Sequence, residues 1–177
     1  MTKVLAIETS CDETAASVVS NKKGIYRINS NIVASQIKDH SKWGGVVPEL
    51  AARKHLELIH FVISEAIEVA DVNYQEIDAI ASTVAPGLVG SLRIGSVAAR
   101  TLCAFYSKPF LGIHHLEGHL SSILFSENPP KPPFIVLLVS GGHTELIKVG
   151  ERREMERLGR SYDAVSYTHL RAHETTS

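Results

Sequence analysis

The sequence predicts an α/β protein made of one complete strand-and-helix unit followed by the opening of a second. Three observations carry this. Short apolar runs alternate with long amphipathic segments from Val4 to Ile113. A proline-rich break, Asn128-Pro129-Pro130-Lys131-Pro132-Pro133, then interrupts the chain. Beyond it, an apolar run, a small polar tip and a second apolar run repeat the pattern of the N-terminus.

Val4 to Ile7 has the length and composition of a buried strand. The polar turn Glu8-Thr9-Ser10-Cys11-Asp12-Glu13-Thr14 separates it from a second run, Ala15 to Val19, so the chain opens on a strand–turn–strand unit. After Asn21-Lys22-Lys23-Gly24, a third extended stretch runs from Ile25 to about Ser35. Pro48 can occupy the first turn of a helix, and Leu50, Ala51, Ile59, Val62, Ile63, Ala66, Ile67 and Ala70 follow at helical spacing on one face. Ile77 to Val84 reads as a buried strand, Pro86-Gly87-Leu88-Val89-Gly90-Ser91 as a turn that enters a helix, and Leu92 to Phe105 as that helix, rich in small residues. Phe110 to Ile113 is another short strand, leading into His114-His115-Leu116-Glu117-Gly118-His119 and a short helix ending near Ser126.

The prolines of the break can neither continue a helix nor donate to a central sheet, which makes 129–133 a linker. Phe134 to Val139, the tip Ser140-Gly141-Gly142-His143-Thr144, and Glu145 to Val149 form the second hairpin. The expected organisation is a first lobe over 1–128, the linker 129–133, and a second-lobe fragment over 134–163. Residues 164–177 lack helical or strand periodicity and read as a non-native, adapter-like tail.

Composition narrows the class of function. Hydrophobic residues are 44% and charged residues 21% of 177, the usage of a folded globular protein rather than a disordered one. A formal net charge of −1 leaves no global basic field for nucleic acid, so any RNA contact must be local. Cys11 and Cys103 form no CxxC pattern and imply neither a disulfide framework nor a thiolate metal site; Cys103 reads as core. Glu8 interrupts the N-terminal apolar run too early for a signal peptide or a membrane span, which makes the cytoplasm the expected address, with no membrane partner.

Two places carry chemistry. His115 and His119 stand four residues apart, which on a helix puts two imidazoles on one face, as a divalent metal requires. A solvated polar face has the same spacing; the position at the mouth of a strand, where open α/β sheets bind ligands, favours the metal. A zinc protease would need glutamate directly after the first histidine, and Leu116 stands there. Glu117 falls roughly 200° round the helix from His115 and faces away. The Ser140–Thr144 tip has the glycines that let backbone N–H groups approach a phosphate, although an ordinary hairpin turn has the same composition. Asp12 and Glu13 at the first tip are placed to hold a metal or a polar substrate group, or stand as solvated charges.

Three strands, helix, strand, helix, strand and a restart resemble the duplicated fold of the actin, sugar-kinase and heat-shock ATPase superfamily (ribonuclease H-like), with the first lobe complete and the second only begun. The blocks Ile7-Glu8-Thr9-Ser10-Cys11-Asp12-Glu13-Thr14, Gly44-Gly45-Val46-Val47-Pro48-Glu49-Leu50-Ala51, Pro86-Gly87-Leu88-Val89-Gly90, His114-His115-Leu116-Glu117-Gly118-His119 and Leu138-Val139-Ser140-Gly141-Gly142-His143-Thr144 resemble the signatures of the tRNA N6-adenosine threonylcarbamoyltransferase family, bacterial or organellar branch, once labelled O-sialoglycoprotein endopeptidases. The resemblance spans residues 3 to about 163. It implies transfer of threonylcarbamoyl from threonylcarbamoyl-AMP to N6 of adenosine 37 in tRNAs reading codons that begin with A. It makes His115 and His119 ligands of one divalent metal, iron or zinc, and Leu138, Val139, Ser140, Gly141 and Gly142 the substrate-binding loop. Asp12, Glu13 and His143 are the candidate catalytic residues. The implied partners are tRNA, a paralogous actin-like subunit and a small P-loop ATPase. The family's third metal ligand, an aspartate, has no counterpart in this sequence, so this chain alone is expected to be inactive. A non-catalytic actin-like scaffold and a metalloendopeptidase are the alternatives.

Overall fold

A computed structural model describes residues 1–126, 128–140, 143–151 and 154–161. The chain forms two compact units, Met1–Gly118 and His119–Ser177. The first is a five-stranded sheet. β1 (Thr2–Glu8), β2 (Glu13–Lys22) and β3 (Ile25–Ser35) form an antiparallel meander, and β4 (Ala79–Ala85) and β5 (Phe110–His114) extend it in parallel from the other side of β1, giving the order β3-β2-β1-β4-β5.

Alternation decides which face is core. In β2, Thr14, Ala16 and Val18 are buried while Ala15, Ser17 and Val19 are half-buried, the period of two that a strand imposes. A short helix, α1 (Ile37–His40), precedes α2 (Pro48–Val69), and α3 (Val89–Tyr106) makes the crossover from β4 to β5. Leu5, Ile7, Val18 and Ile80 from the sheet form one core with Ile59, Val62, Ile63 and Ala66 of α2 and Ala99 and Cys103 of α3. Each fully buried large aliphatic side chain stabilises the fold by about 1.5–3 kcal/mol. Gly95 sets the approach of α3: a Cβ there would collide with Thr9 Oγ1 and stand 3.3 Å from Ser82 Oγ. That close packing is the physical content of the small-residue pattern read from sequence.

The second unit holds a three-stranded antiparallel sheet, β6 (Phe134–Ser140), β7 (His143–Val149) and β8 (Met155–Arg160), in that order. The sequence predicts only the β6–β7 hairpin there, so β8 is a correction. All six of its residues are exposed, so burial leaves no alternating signature. β8 is held instead by its backbone ladder to β7 and by two ion pairs, Arg157–Glu145 at 3.6 Å and Lys148–Glu156 at 3.5 Å.

The units divide after Gly118, inside α4 (His115–Ser122), ahead of the expected boundary at 128. Leu120, 6% exposed, explains the difference: it lines a small apolar cavity with Ile123, Pro132, Phe134, Val149 and Met155, all of the second unit. The expected tail 164–177 lies outside the described residues. No described helix is long and apolar enough to cross a membrane.

Candidate active site

β1, β4 and β5 run parallel, so their C-terminal ends share one edge of the sheet, the edge at which open α/β sheets bind ligands. Glu8 ends β1, Thr83 stands near the end of β4, and His114 ends β5 immediately before His115 opens α4. These ends converge. One oxygen of the Glu8 carboxylate accepts the Ser10 backbone N–H, and the other accepts the Thr83 hydroxyl and lies 3.7 Å from His115 Nδ1. Ser10 Oγ is 3.2 Å from the same nitrogen. Glu8 and Ser10 thus stand on the Nδ1 side of the His115 ring, the side from which a carboxylate can orient it. Metal-binding histidines are oriented in this way by carboxylates behind them.

The turn between β1 and β2 is fixed from its other side by a buried polar chain. His55, on α2 and fully buried, donates from Nε2 to the Cys11 carbonyl at 3.0 Å. Its Nδ1 accepts from the Thr14 hydroxyl at 2.8 Å and the Gln36 amide at 3.3 Å. Gln36 Oε1 accepts from His40 Nε2 at 3.1 Å, and His40 Nδ1 accepts the Val47 N–H at 3.3 Å. Gln36 also donates its backbone N–H to the Asp12 carbonyl at 2.9 Å. The bond that His55 Nδ1 accepts from the Gln36 amide requires a neutral His55 imidazole. Burial accordingly lowers the His55 pKa, the nearby His40 adding to that, against the opposing pull of the Cys11 bond and of the Glu8 and Asp12 carboxylates.

Asp12 is half-buried and Glu13, the first residue of β2, is exposed; neither is a member of the Glu8–Ser10–Thr83–His115 cluster, although both sit on the same turn. Cys11 reaches solvent, yet withdrawal of its thiol from water and then the Asp12 carboxylate push its pKa up to about 11, so it is no thiolate nucleophile at neutral pH. Cys103 is buried, as its place in an apolar helix predicts.

His115 is half-buried and His119 exposed, one turn apart on α4. Leu116, in the place a protease would give its glutamate, is a buried side chain at 9% exposure. Among the described residues no three or more His, Cys, Asp or Glu side chains group to hold a metal. In the second unit, Leu138 and Val139 are half-buried on β6, Ser140 ends that strand and pairs with His143, the first residue of β7, and Gly141 and Gly142 lie outside the described residues.

Sequence reasoning passes over Glu8 and Thr83 as site residues. The signal for Glu8 was present: a carboxylate that closes an apolar run at a strand's C-terminal end. Thr83 has no such signal, being one more residue of a buried strand.

The family model for tRNA N6-adenosine threonylcarbamoyltransferase matches residues 27–176. The chain belongs to that family. A protein of that name from Prochlorococcus marinus strain MIT 9515 is 78% identical over 163 residues, covering 92% of this chain and 46% of the relative. The namesake from strain NATL1A is 60% identical over the same span. The chain thus spans about half the length of the relatives it matches. Among solved structures, YeaZ from Pseudomonas aeruginosa is similar at a TM-score of 0.58 and 15% identity, covering 91% of this chain and 66% of that one. A PPX-GPPA enzyme from Aquifex aeolicus is similar at 0.52 and 14%, covering 89% and 52%. At such identities the likeness shows the fold alone, and that fold is actin-like: the five-stranded unit is its first lobe.

Proposed function

We propose that the whole protein transfers a threonylcarbamoyl group from threonylcarbamoyl-AMP to N6 of adenosine 37 in tRNA, and that the C-terminal edge of the β1–β4–β5 sheet carries part of that site. The observation that carries this reading, beside family membership, is the Glu8–His115 pair with Ser10 between them. His115 and His119 would hold a divalent metal, iron or zinc, whose chemistry is to polarise oxygen atoms of the donor. Glu8 would orient the His115 ring from its Nδ1 side, and Thr83 and the Ser10 N–H hold Glu8 in place.

In the transfer, a bond forms between N6 and the carbamoyl carbon, the bond from that carbon to the adenylate oxygen breaks, and AMP leaves. The proton lost from N6 goes to Asp12 or Glu13, the acceptor-only groups of the first tip. Leu138, Val139, Ser140, Gly141 and Gly142 bind the adenylate through backbone N–H groups, and His143 stands beside them. The same reading takes tRNA, a paralogous actin-like subunit and a small P-loop ATPase as partners, and the cytoplasm, where tRNA is modified, as the setting.

A scaffold without chemistry has no use for an imidazole oriented by a carboxylate, and a metalloendopeptidase lacks its glutamate at Leu116. The test is metal content of the full-length protein against its His115→Ala, His119→Ala double variant and its Glu8→Gln variant. The double variant should lose the metal. Glu8→Gln should weaken binding by about 10–100-fold, as loss of an orienting partner does. Equal metal in wild type and double variant overturns the assignment.

A further inference from the structure

The segment 36–47 between β3 and α2 has buried roots and an exposed crest. Gln36 and His40 are 1% and 3% exposed, whereas Trp43 is 63% exposed. Lys38, Ser41, Lys42, Gly44 and Gly45 are also exposed. The roots are the polar chain described above, which ties this segment to the Cys11 and Asp12 carbonyls of the first tip. At the crest, Ser41–Trp43 makes one 3-10 turn, and Gly44, at φ +69°, closes it in the left-handed region, where a side chain would be strained. Lys42 Nζ lies 5.6 Å from the centre of the Trp43 ring.

We infer that this crest is a stacking platform for an unpaired base of RNA, with Trp43 under the base and Lys38 and Lys42 on the flanking phosphates. The inference rests on the tRNA reading above and assigns it a contact surface. An exposed indole beside cations is what single-stranded nucleic acid requires: a π-face for any base and point charges for the backbone. A protein partner fits less well. Interface cores are depleted in lysine, and the neighbours of Trp43 along the chain are Ser41, Lys42, Gly44 and Gly45. Two lysines against the single carboxylate of Asp39 make the segment locally basic on a chain of net charge −1. The clamp ties the buried roots of this segment to the turn that carries Asp12 and Glu13.

Trp43 is the chain's one tryptophan, so indole emission reports on this crest alone. The experiment titrates the full chain with an RNA hairpin bearing an unpaired loop, and with a fully paired duplex of the same composition. Tryptophan emission and the anisotropy of labelled RNA are read together. The hairpin should quench Trp43 and the duplex should not. Trp43→Ala should weaken hairpin binding by roughly 5–100-fold, the range for removing one base-stacking aromatic, while Trp43→Phe retains most of it. The Lys38→Ala, Lys42→Ala variant should reduce the slope of log affinity against log salt by about 1.4, or about 0.7 for each phosphate no longer neutralised. Rising anisotropy with unchanged emission places RNA elsewhere; it overturns this inference and leaves the tRNA reading standing. Flat anisotropy in both this chain and the full-length protein removes the tRNA reading with it. Quenching by a partner protein and not by RNA makes the crest a protein contact, and the inference fails.

Discussion

The two hairpins β1–β2 and β6–β7 start from the same pattern, an apolar strand, a polar tip and a return strand, and each pairs over seven positions. Their surroundings separate them. β1 lies inside its sheet, hydrogen-bonded to β2 on one side and β4 on the other, and its Leu5 and Ile7 are 0% and 2% exposed. Among the described residues β6 is an edge strand, and its Ile135 and Leu137 are 63% and 64% exposed. The first turn is held by His55, Gln36 and Glu8, whereas the second hairpin closes between Ser140 and His143 by ladder bonds. A hairpin pattern therefore fixes strand pairing, whereas the order of the first tip comes from what packs against it. Placing reactive groups to within a fraction of an ångström needs that second kind of order.

The sharpest way to break this comparison is to remove its clamp. His55→Ala leaves the Cys11 carbonyl and the Thr14 hydroxyl without their partner and the Gln36 amide with only the Ala51 carbonyl, at about 1–3 kcal/mol for each buried group left unsatisfied. Urea unfolding should show the first unit destabilised by about 3 kcal/mol or more, with amide exchange of β6 and β7 unchanged. Equal loss of protection in both hairpins would mean that the tip is not held as described.

Gly95→Ala should come next, costing about 1–3 kcal/mol through overpacking against Thr9. Thermal unfolding of Gly95→Ala with and without Thr9→Ala checks the contact, since the double variant should recover part of the loss.

Acid should loosen the same clamp, by less than deleting the imidazole. The His55 pKa is lower in the folded state than its unfolded value of about 6.5. Its contribution to stability is therefore complete above that value and declines as pH falls from there through the lowered folded value, because the unfolded chain takes up the proton first. The decline should shrink in His55→Gln, measured as urea midpoint against pH; an identical profile in both assigns the acid sensitivity to other groups. Smallest of all, Leu137→Thr on the exposed edge strand should shift stability by within about 0.5 kcal/mol, and a large loss would show that β6 is covered.

How much the sequence settled follows from the range of each interaction. Helical spacing from Leu50 to Ala70 and the short apolar runs Val4–Ile7 and Ala15–Val19 are local properties, and they pointed to α2 and the opening hairpin without reference to the rest of the chain. The signature blocks determined the family in the same way. β8 stayed hidden because strand pairing through backbone bonds and surface ion pairs leaves no periodic mark on six exposed residues. Of the residues that sequence singled out, His115 stands in the Glu8–Ser10–Thr83 cluster, whereas Asp12 and Glu13 lie on the same turn outside it. Only the tertiary structure decided that Glu8, Ser10 and Thr83 meet His115, and that His55, 44 residues from Cys11, holds the turn from behind. Those contacts join residues far apart in the chain, and their geometry follows from parallel pairing of β1, β4 and β5 and the packing of α2 on the sheet.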